Sequence, residues 1–296
     1  MPRVAGADRL DVALRDWYEP RRRAFPWRRS QPDPYHVLVS EVMLQQTQAA
    51  RVVHAFRGFI ERFPTIAALA RAPRVDVLRQ WDGLGYNRRA IALSEAARAI
   101  VAGRGGRVPR DPEDLRALPG IGPYTAAAIA SIAYGEPTPA IDVNVGRIVA
   151  RVRLGGEAHE HSAEEVAAAA RGWIDRNDPG SWNQALMDLG REVCRPRPRC
   201  ASCPLSSACR FAIEGGVPSR PPRSQPRFEG SDRQVRGAVV RELRGAPGTL
   251  GGLARSTGHR LERVATAVAA LHDEGLVSAG PGALAGKTAG RVRLGS

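Results

Sequence analysis

The residues in this chain with a capacity for chemistry are two carboxylates in unusual settings and four thiols in one short run. Glu41 lies in Ser40-Glu-Val-Met-Leu-Gln-Gln-Thr-Gln48, where Val42, Met43 and Leu44 are apolar. A lone glutamate is ordinarily an exposed helical residue, but these neighbours set Glu41 at the border of a buried surface. Gln45, Gln46 and Thr47 then supply donors and acceptors where a helix is otherwise greasy or charged. Asp142, in Ile141-Asp-Val-Asn-Val-Gly-Arg147, stands just before a helix and reads as its N-cap. A capping carboxylate could also stabilise a cation, and the two roles are compatible. Cys194, Cys200, Cys203 and Cys209 are the chain's only cysteines, in the pattern C-x5-C-x2-C-x5-C. One loop can gather four such thiols around a single centre, which reads as metal ligation; a disulfide framework is the weaker alternative. Arg195, Arg197 and Arg199 stand between the first two cysteines, so a metal there would hold a positively charged loop in shape.

A third motif supplies a polyanion site. Leu118-Pro-Gly-Ile-Gly-Pro-Tyr-Thr-Ala126 lies between two helical stretches. Gly120 and Gly122 permit a tight turn with exposed amides, and Pro123 begins the next helix. Amides at a helix N-terminus bind a phosphate without reading its base. This is a helix-hairpin-helix signature. The net charge of +14 favours the same partner through counterion release. The only lysine is Lys287, so a mechanism needing a lysine amine earlier in the chain is excluded. The six histidines form no ligand spacing, and no nucleotide-binding loop is present, so no nucleotide cofactor is expected. No secretory or membrane-spanning run is evident, which fits a reducing cytoplasm.

The elements that must position these groups are helices. Leu10, Leu14 and Trp17 share one helical face. Pro34 starts a long helical segment from about Tyr35 to Phe63, with Asp33 as its N-cap. Shorter stretches follow near Val75–Trp81, Arg88–Ala102 and Asp114–Leu118, and Ser162 with Glu165 forms a capping-box pattern. The first two hundred residues are therefore expected to be all-α. Prolines, glycines and arginines at about 214–231 read as a linker. Beyond it, Val235–Leu243, Thr249–Ser256 and Leu261–Glu274 predict three helices, and Leu276–Leu294 two strands around a Gly-rich turn. The expected organisation is residues 1–213 as a DNA-handling domain with the cysteine loop at 194–209, then the 214–231 linker, and residues 232–296 as a small winged-helix-like domain.

Taken in order, SEVMLQQT, GLGYNRRA (Gly83–Ala90), LPGIGPYTA, DVNVGR, NQALMDLG (Asn183–Gly190) and the four-cysteine loop resemble the endonuclease III-like helix-hairpin-helix glycosylases, and within them the adenine DNA glycosylase branch. The similarity covers roughly residues 8 to 212. It implies a two-lobed all-α fold, double-stranded DNA containing an adenine mispair as partner, base flipping into a pocket, and a monomer. By the resemblance, Glu41 matches the acid that protonates the adenine ring, and Asp142 the carboxylate that stabilises the oxocarbenium-like sugar. Tyr124 and Asn144 match residues that position the flipped nucleotide and the partner carboxylate. Gln46, Thr47 and Tyr86 match the wedge that fills the gap in the stack, beside Gln45. Gly120, Gly122, Arg197 and Arg199 join the DNA-binding set. Arg28 and Asp188 match pocket positions, and Cys194, Cys200, Cys203 and Cys209 match the ligands of one 4Fe–4S cluster.

Three features refine the resemblance. Bifunctional relatives carry a lysine nucleophile where this chain has Tyr124, which implies a monofunctional glycosylase that leaves an abasic site. The family usually places six residues between its first two cysteines and this chain has five; the rival ligand would be zinc. Finally, nothing in the last 65 or so residues reads as the Nudix-like domain that many adenine glycosylases use on 8-oxoguanine. Two other functions stay open on sequence: a mismatch glycosylase for thymine or uracil opposite guanine, and a non-catalytic iron–sulfur DNA-binding protein.

Overall fold

In a computed structural model, residues 5–219 and 228–295 are described here, with the side chains from position 9 onward. The helices, in chain order, are α1 (Ala5–Tyr18), α2 (Pro34–Leu44), α3 (Ala49–Arg62), α4 (Ile66–Arg71), α5 (Arg74–Gln80), α6 (Arg88–Arg104), α7 (Pro112–Arg116), α8 (Pro123–Tyr134), α9 (Val143–Val149), α10 (Ala163–Arg171), α11 (Pro179–Glu192) and α12 (Arg210–Ile213). A single wide turn, Ala150–Leu154, continues α9. After these come α13 (Asp232–Gly245), β1 (Gly248–Thr249), α14 (Leu250–Thr257), α15 (Leu261–Asp273), β2 (Val277–Ala279), α16 (Pro281–Leu284) and β3 (Arg291–Leu294).

The chain divides into two compact units. The first comprises residues 1–41, 108–117 and 121–223. Its core joins Leu10 and Leu14 of α1 to Val145, Ile148 and Val149 of α9 and to Trp182, Leu186 and Leu189 of α11. Trp173 meets Trp182 edge-on at 5.5 Å between centroids. Close approach of α11 to α9 requires Gly190: a Cβ there would lie 2.8 Å from Asn144 Cβ. The expected capping box is formed, with Ser162 Oγ accepting from Glu165 N and Glu165 Oε2 accepting from Ser162 N.

The second unit comprises residues 42–107, 118–120 and 224–296. Val52, Phe56 and Phe59 of α3, Val77 and Leu78 of α5, and the inward face of α6 are buried in it, with Phe59 edge-on to Trp81. Its C-terminal part buries Val235, Val239, Val240 and Leu243 of α13 and Val264, Val268 and Leu271 of α15. A three-stranded antiparallel sheet of order β1-β3-β2 closes it, with Ser278 opposite Arg293 and Thr249 opposite Arg291. The two strands expected at the C-terminus are separated by the short helix α16, and β1 adds a third strand that the sequence did not predict.

The single long segment expected from Tyr35 to Phe63 is two helices. The chain breaks at Gln45–Gln48, where Gln46 takes a left-handed φ of 55°. The physical reason is an arginine from α6. Arg89 donates to the carbonyls of Val42, Met43 and Gln45, satisfying the acceptors that a helix end leaves open. The motif glutamines therefore sit in a turn and not along a helix.

Candidate active site

Glu41 is placed by α2, whose N-terminus is capped as expected by Asp33: its Oδ1 accepts from Tyr35 N at 2.8 Å. Glu41 is only 5% exposed, in the first unit with Arg28, Tyr124 and Asp142. Burial pushes its carboxyl up to about 7, against the opposing pull of the Arg28 guanidinium and the Tyr124 hydroxyl. Tyr124 Oη lies 3.5 Å from Glu41 Oε2 and 3.5 Å from Met187 Sδ. Burial also holds the tyrosine hydroxyl well above its ordinary value, with the Glu41 and Asp142 charges acting the same way. The phenol therefore acts as a neutral donor beside a carboxyl that keeps its proton near neutral pH.

Asp142 caps α9 as the sequence predicts. Its Oδ1 accepts from the amides of Asn144 and Val145, both at 2.8 Å, and its Oδ2 accepts from Asn144 Nδ2 at 2.9 Å. Asn144 is fixed in turn: its Oδ1 accepts from Arg147 Nη2 at 2.9 Å, and the same guanidinium donates to the carbonyls of Gly190 and Cys194. The cap thus orients the carboxylate rigidly. Arg28 and Asp188, assigned only as pocket positions, are each other's ion pair at 2.9 Å and nearly buried. Asp188 also accepts from Arg191, and the pair borders Tyr18, whose hydroxyl donates to Gln184 Oε1 at 2.8 Å.

In the second unit, the Gln45–Thr47 turn and the Gly83–Tyr86 turn are knitted together by Arg89. Beyond the α2 carbonyls it donates to Thr47 Oγ1 and to the carbonyls of Leu84 and Gly85, and it stacks over the rings of Trp81 and Tyr86. Thr47 Oγ1 reaches Leu84 O at 3.3 Å, and Trp81 Nε1 donates to Gly85 O. Tyr86 remains 44% exposed at a left-handed φ of 46°. Two non-glycine residues in this sparsely populated region, both in the turns assigned to the wedge, mark backbone held against its preference. Gln45 Nε2 donates to Gly120 O at 3.3 Å. Gly120 has a φ of +75°, and a Cβ on it would lie 2.6 Å from Ala92 Cβ. Gly122 differs from expectation: it is the extended N-cap residue of α8, so only Gly120 needs the freedom of glycine.

All four cysteines border one small cavity whose lining is mostly apolar, with Ile148, Val152, Leu189, Leu205 and Phe211, and also includes Arg151 and Arg199. They are unpaired thiols, so no disulfide forms. Burial raises the thiols of Cys194, Cys203 and Cys209, Cys203 to about 11. Among the described residues, no three His, Cys, Asp or Glu side chains gather tightly enough to hold a single ion. Four thiols around one cavity are a donor set suited to a thiolate-bound metal centre. Arg151, 2% exposed, organises the loop: it pairs with Glu157 at 2.6 Å and donates to the carbonyls of Arg195 and Pro196 and to Cys194 Sγ. Arg197 and Arg199 are exposed.

Sequence reading did not single out Arg89, Arg147, Arg151 or Met187. Arg89, Arg147 and Met187 stood inside quoted motifs, GLGYNRRA, DVNVGR and NQALMDLG. Arg151 carried no signal, because one buried guanidinium among so many surface arginines is invisible to composition.

Residues 39–176 match the profile of the HhH-GPD superfamily base excision DNA repair proteins. The chain is 42% identical over 234 residues to an adenine DNA glycosylase of Mycolicibacterium smegmatis, covering 79% of this chain and 80% of that protein. It is 44% identical over 218 residues to the human adenine DNA glycosylase, covering 70% of this chain but 40% of the human protein, which is therefore much longer than the shared region. Among solved structures, a thermostable thymine-DNA glycosylase superposes with a TM-score of 0.65 at 28% identity, covering 71% of this chain and all of that one. An endonuclease III–DNA complex shows the same fold at a TM-score of 0.58, over 71% of this chain and 97% of that one. Helices, motif order and relatives converge: the chain belongs to the adenine DNA glycosylase family, within the HhH-GPD superfamily.

Proposed function

We propose that this protein is a monofunctional DNA glycosylase that removes adenine mispaired with 8-oxoguanine or guanine during base excision repair and leaves an abasic site. The observation that carries the reading is the pairing of a buried, proton-retaining Glu41 with a rigidly capped Asp142 in the same unit. Hydrolysis of an N-glycosyl bond needs two carboxyls in different states. Glu41 gives its proton to a ring nitrogen of the extruded adenine, so the base departs neutral as the C1′–N9 bond breaks. Asp142 stabilises the positive sugar that remains. Water then adds at C1′ and releases a proton, completing the abasic site. Tyr124 donates into this space without acting as a nucleophile, and the absence of lysine before Lys287 removes the lysine-dependent Schiff-base route to strand cleavage.

The cysteine set supports one 4Fe–4S cluster held by Cys194, Cys200, Cys203 and Cys209. Its ligand loop also carries Arg197 and Arg199 toward solvent, so the cluster's contribution is to hold a basic loop in shape. The five-residue spacing between the first two cysteines is accommodated by Arg151, which ties down the carbonyls of Arg195 and Pro196. Residues 1–213 would form the glycosylase domain and 232–296 an appended winged-helix-like domain, in a monomer of the cytoplasm.

The likeness to a thymine-DNA glycosylase structure supports thymine or uracil opposite guanine as the second reading. A single assay separates them: purified protein on A·8-oxoG, A·G, T·G and U·G duplexes, with alkaline cleavage of abasic sites and Glu41→Gln as control. Alkali-dependent cleavage at adenine, lost in Glu41→Gln, is expected. Release of thymine or uracil with adenine untouched would overturn the proposal.

A further inference from the structure

The second unit contains a cleft of about 820 Å³, only one wall of which comes from the family motifs. One wall is the two wedge turns; the other is α13 of the C-terminal segment. The residues of α13 that line it are Arg233, Gly237, Arg241 and Arg244, with Arg236 beside them. Their spacing of four, four and three is one helical stripe, opposite the buried stripe of Val235, Val239 and Leu243. Among the described residues, nothing beyond α13's own neighbouring backbone comes within 4 Å of a Cβ built on Gly237, so the stripe is open at its middle.

The arginines divide by what they touch. Arg244 is a pin: it donates to Leu78 O and Asn87 Oδ1 and pairs with Asp82, while Arg79 donates back to Arg244 O. This fixes α13 against α5 and the turn that follows, and it neutralises Asp82, the only acid lining the cleft among the described residues. Arg236 pairs with Glu274. Arg233 donates to the hydroxyl of Tyr86 at 3.2 Å, so the C-terminal segment touches the wedge tyrosine directly. Arg241 on one wall, and Arg51 and Arg88 on the other, are exposed and make no ion pair among the described residues. Three guanidiniums without an ion pair facing one open cleft give it a positive lining that attracts a polyanion.

We infer that this cleft is a phosphodiester-binding channel in which the C-terminal domain, through Arg241 on α13, grips the backbone of the DNA strand that meets the wedge. The inference rests on the DNA glycosylase reading above. It gives the appended domain a task of its own: α13 steadies Tyr86 through Arg233 and adds phosphate contacts beside the wedge. Arg88 and Arg51 complete the channel from the catalytic part of the chain.

The test is salt-dependent binding by the full-length protein to a duplex carrying an uncleavable 2′-fluorinated adenosine opposite 8-oxoguanine. Each phosphate neutralised contributes about 0.9 to the slope of log K against log salt. Arg241→Ala and Arg51→Ala are each expected to reduce that slope by about 1, and Arg241→Lys to restore it. Arg255→Ala, an exposed arginine outside the cleft, is expected to leave it unchanged. A wild-type slope in Arg241→Ala would refute the channel, and so would an equal loss in Arg255→Ala, which would reduce the effect to diffuse charge. Adenine release by the wild type on the cleavable duplex is measured alongside. If adenine is released but the slopes do not respond, the channel fails and the enzyme stands; if DNA is bound but no adenine released, the glycosylase reading fails.

Discussion

Replacing Glu41 with glutamine should make this protein inactive and, in alkaline solution, more stable. The carboxyl is 5% exposed and is pushed by burial from an ordinary 4.5 up to about 7. The folded state therefore binds the proton more tightly than the unfolded state, so stability falls as pH rises between these two values. Below about pH 4.5 both states are protonated and there is no penalty. Above about pH 7 the shift of roughly 2.5 units costs about 3 kcal/mol, at 1.36 kcal/mol per unit. At pH 5 the same linkage costs under about 1 kcal/mol. Glutamine keeps the shape and cannot ionise, so Glu41→Gln should gain about 3 kcal/mol at pH 8.5 and little at pH 5. Urea melts of both proteins at the two pH values measure this directly. Single-turnover adenine release should follow the protonated form, near level below pH 7 and falling about tenfold per unit above it. A Glu41→Gln gain that is the same at both pH values would show that Glu41 is not held protonated by burial. A wild-type rate still flat from pH 7 to 9 would sink its role as the acid.

Asn144→Ala removes one hydrogen bond to Asp142 and the acceptor for Arg147, and should slow adenine release roughly tenfold or more at saturating enzyme while mispair binding persists. Arg89→Met removes a donor from five main-chain carbonyls, those of Val42 and Met43 at the end of α2 among them, and should destabilise the protein by about 3 kcal/mol, read as a lowered urea midpoint, with mispair binding lost in parallel. Borohydride added during turnover should trap no covalent protein–DNA adduct, since no lysine precedes Lys287; a trapped adduct would mean another amine attacks the sugar. Aerobically purified protein should be brown, with iron and acid-labile sulfide in equal amounts, and Cys203→Ala should lose both; a colourless, zinc-loaded protein would refute the cluster.

Much of the site was legible because its parts are local. Asp142 caps α9 two and three residues downstream, a relation that spacing alone encodes. The cysteine run and the Gly120 turn are likewise short-range. The break after Leu44 was not legible, because the pattern from Tyr35 to Phe63 continues helically and its interruption comes from Arg89, more than forty residues away in sequence. A distant cation taking a helix's last carbonyls leaves no trace in the periodicity.

What the sequence determined by itself was the inventory: the two carboxyls, the tyrosine where a lysine nucleophile would stand, the thiol set and the surplus of arginine. Tertiary structure decided what state those groups are in. Glu41 keeps its proton only because the fold excludes water from it, and a pKa set by burial cannot be read from neighbours in the chain. The same holds for the arginines, which are identical as letters. Burial and partners make Arg151 and Arg89 structural, Arg244 a pin and Arg241 an open contact, because a guanidinium's role depends on which acceptors the fold brings within reach.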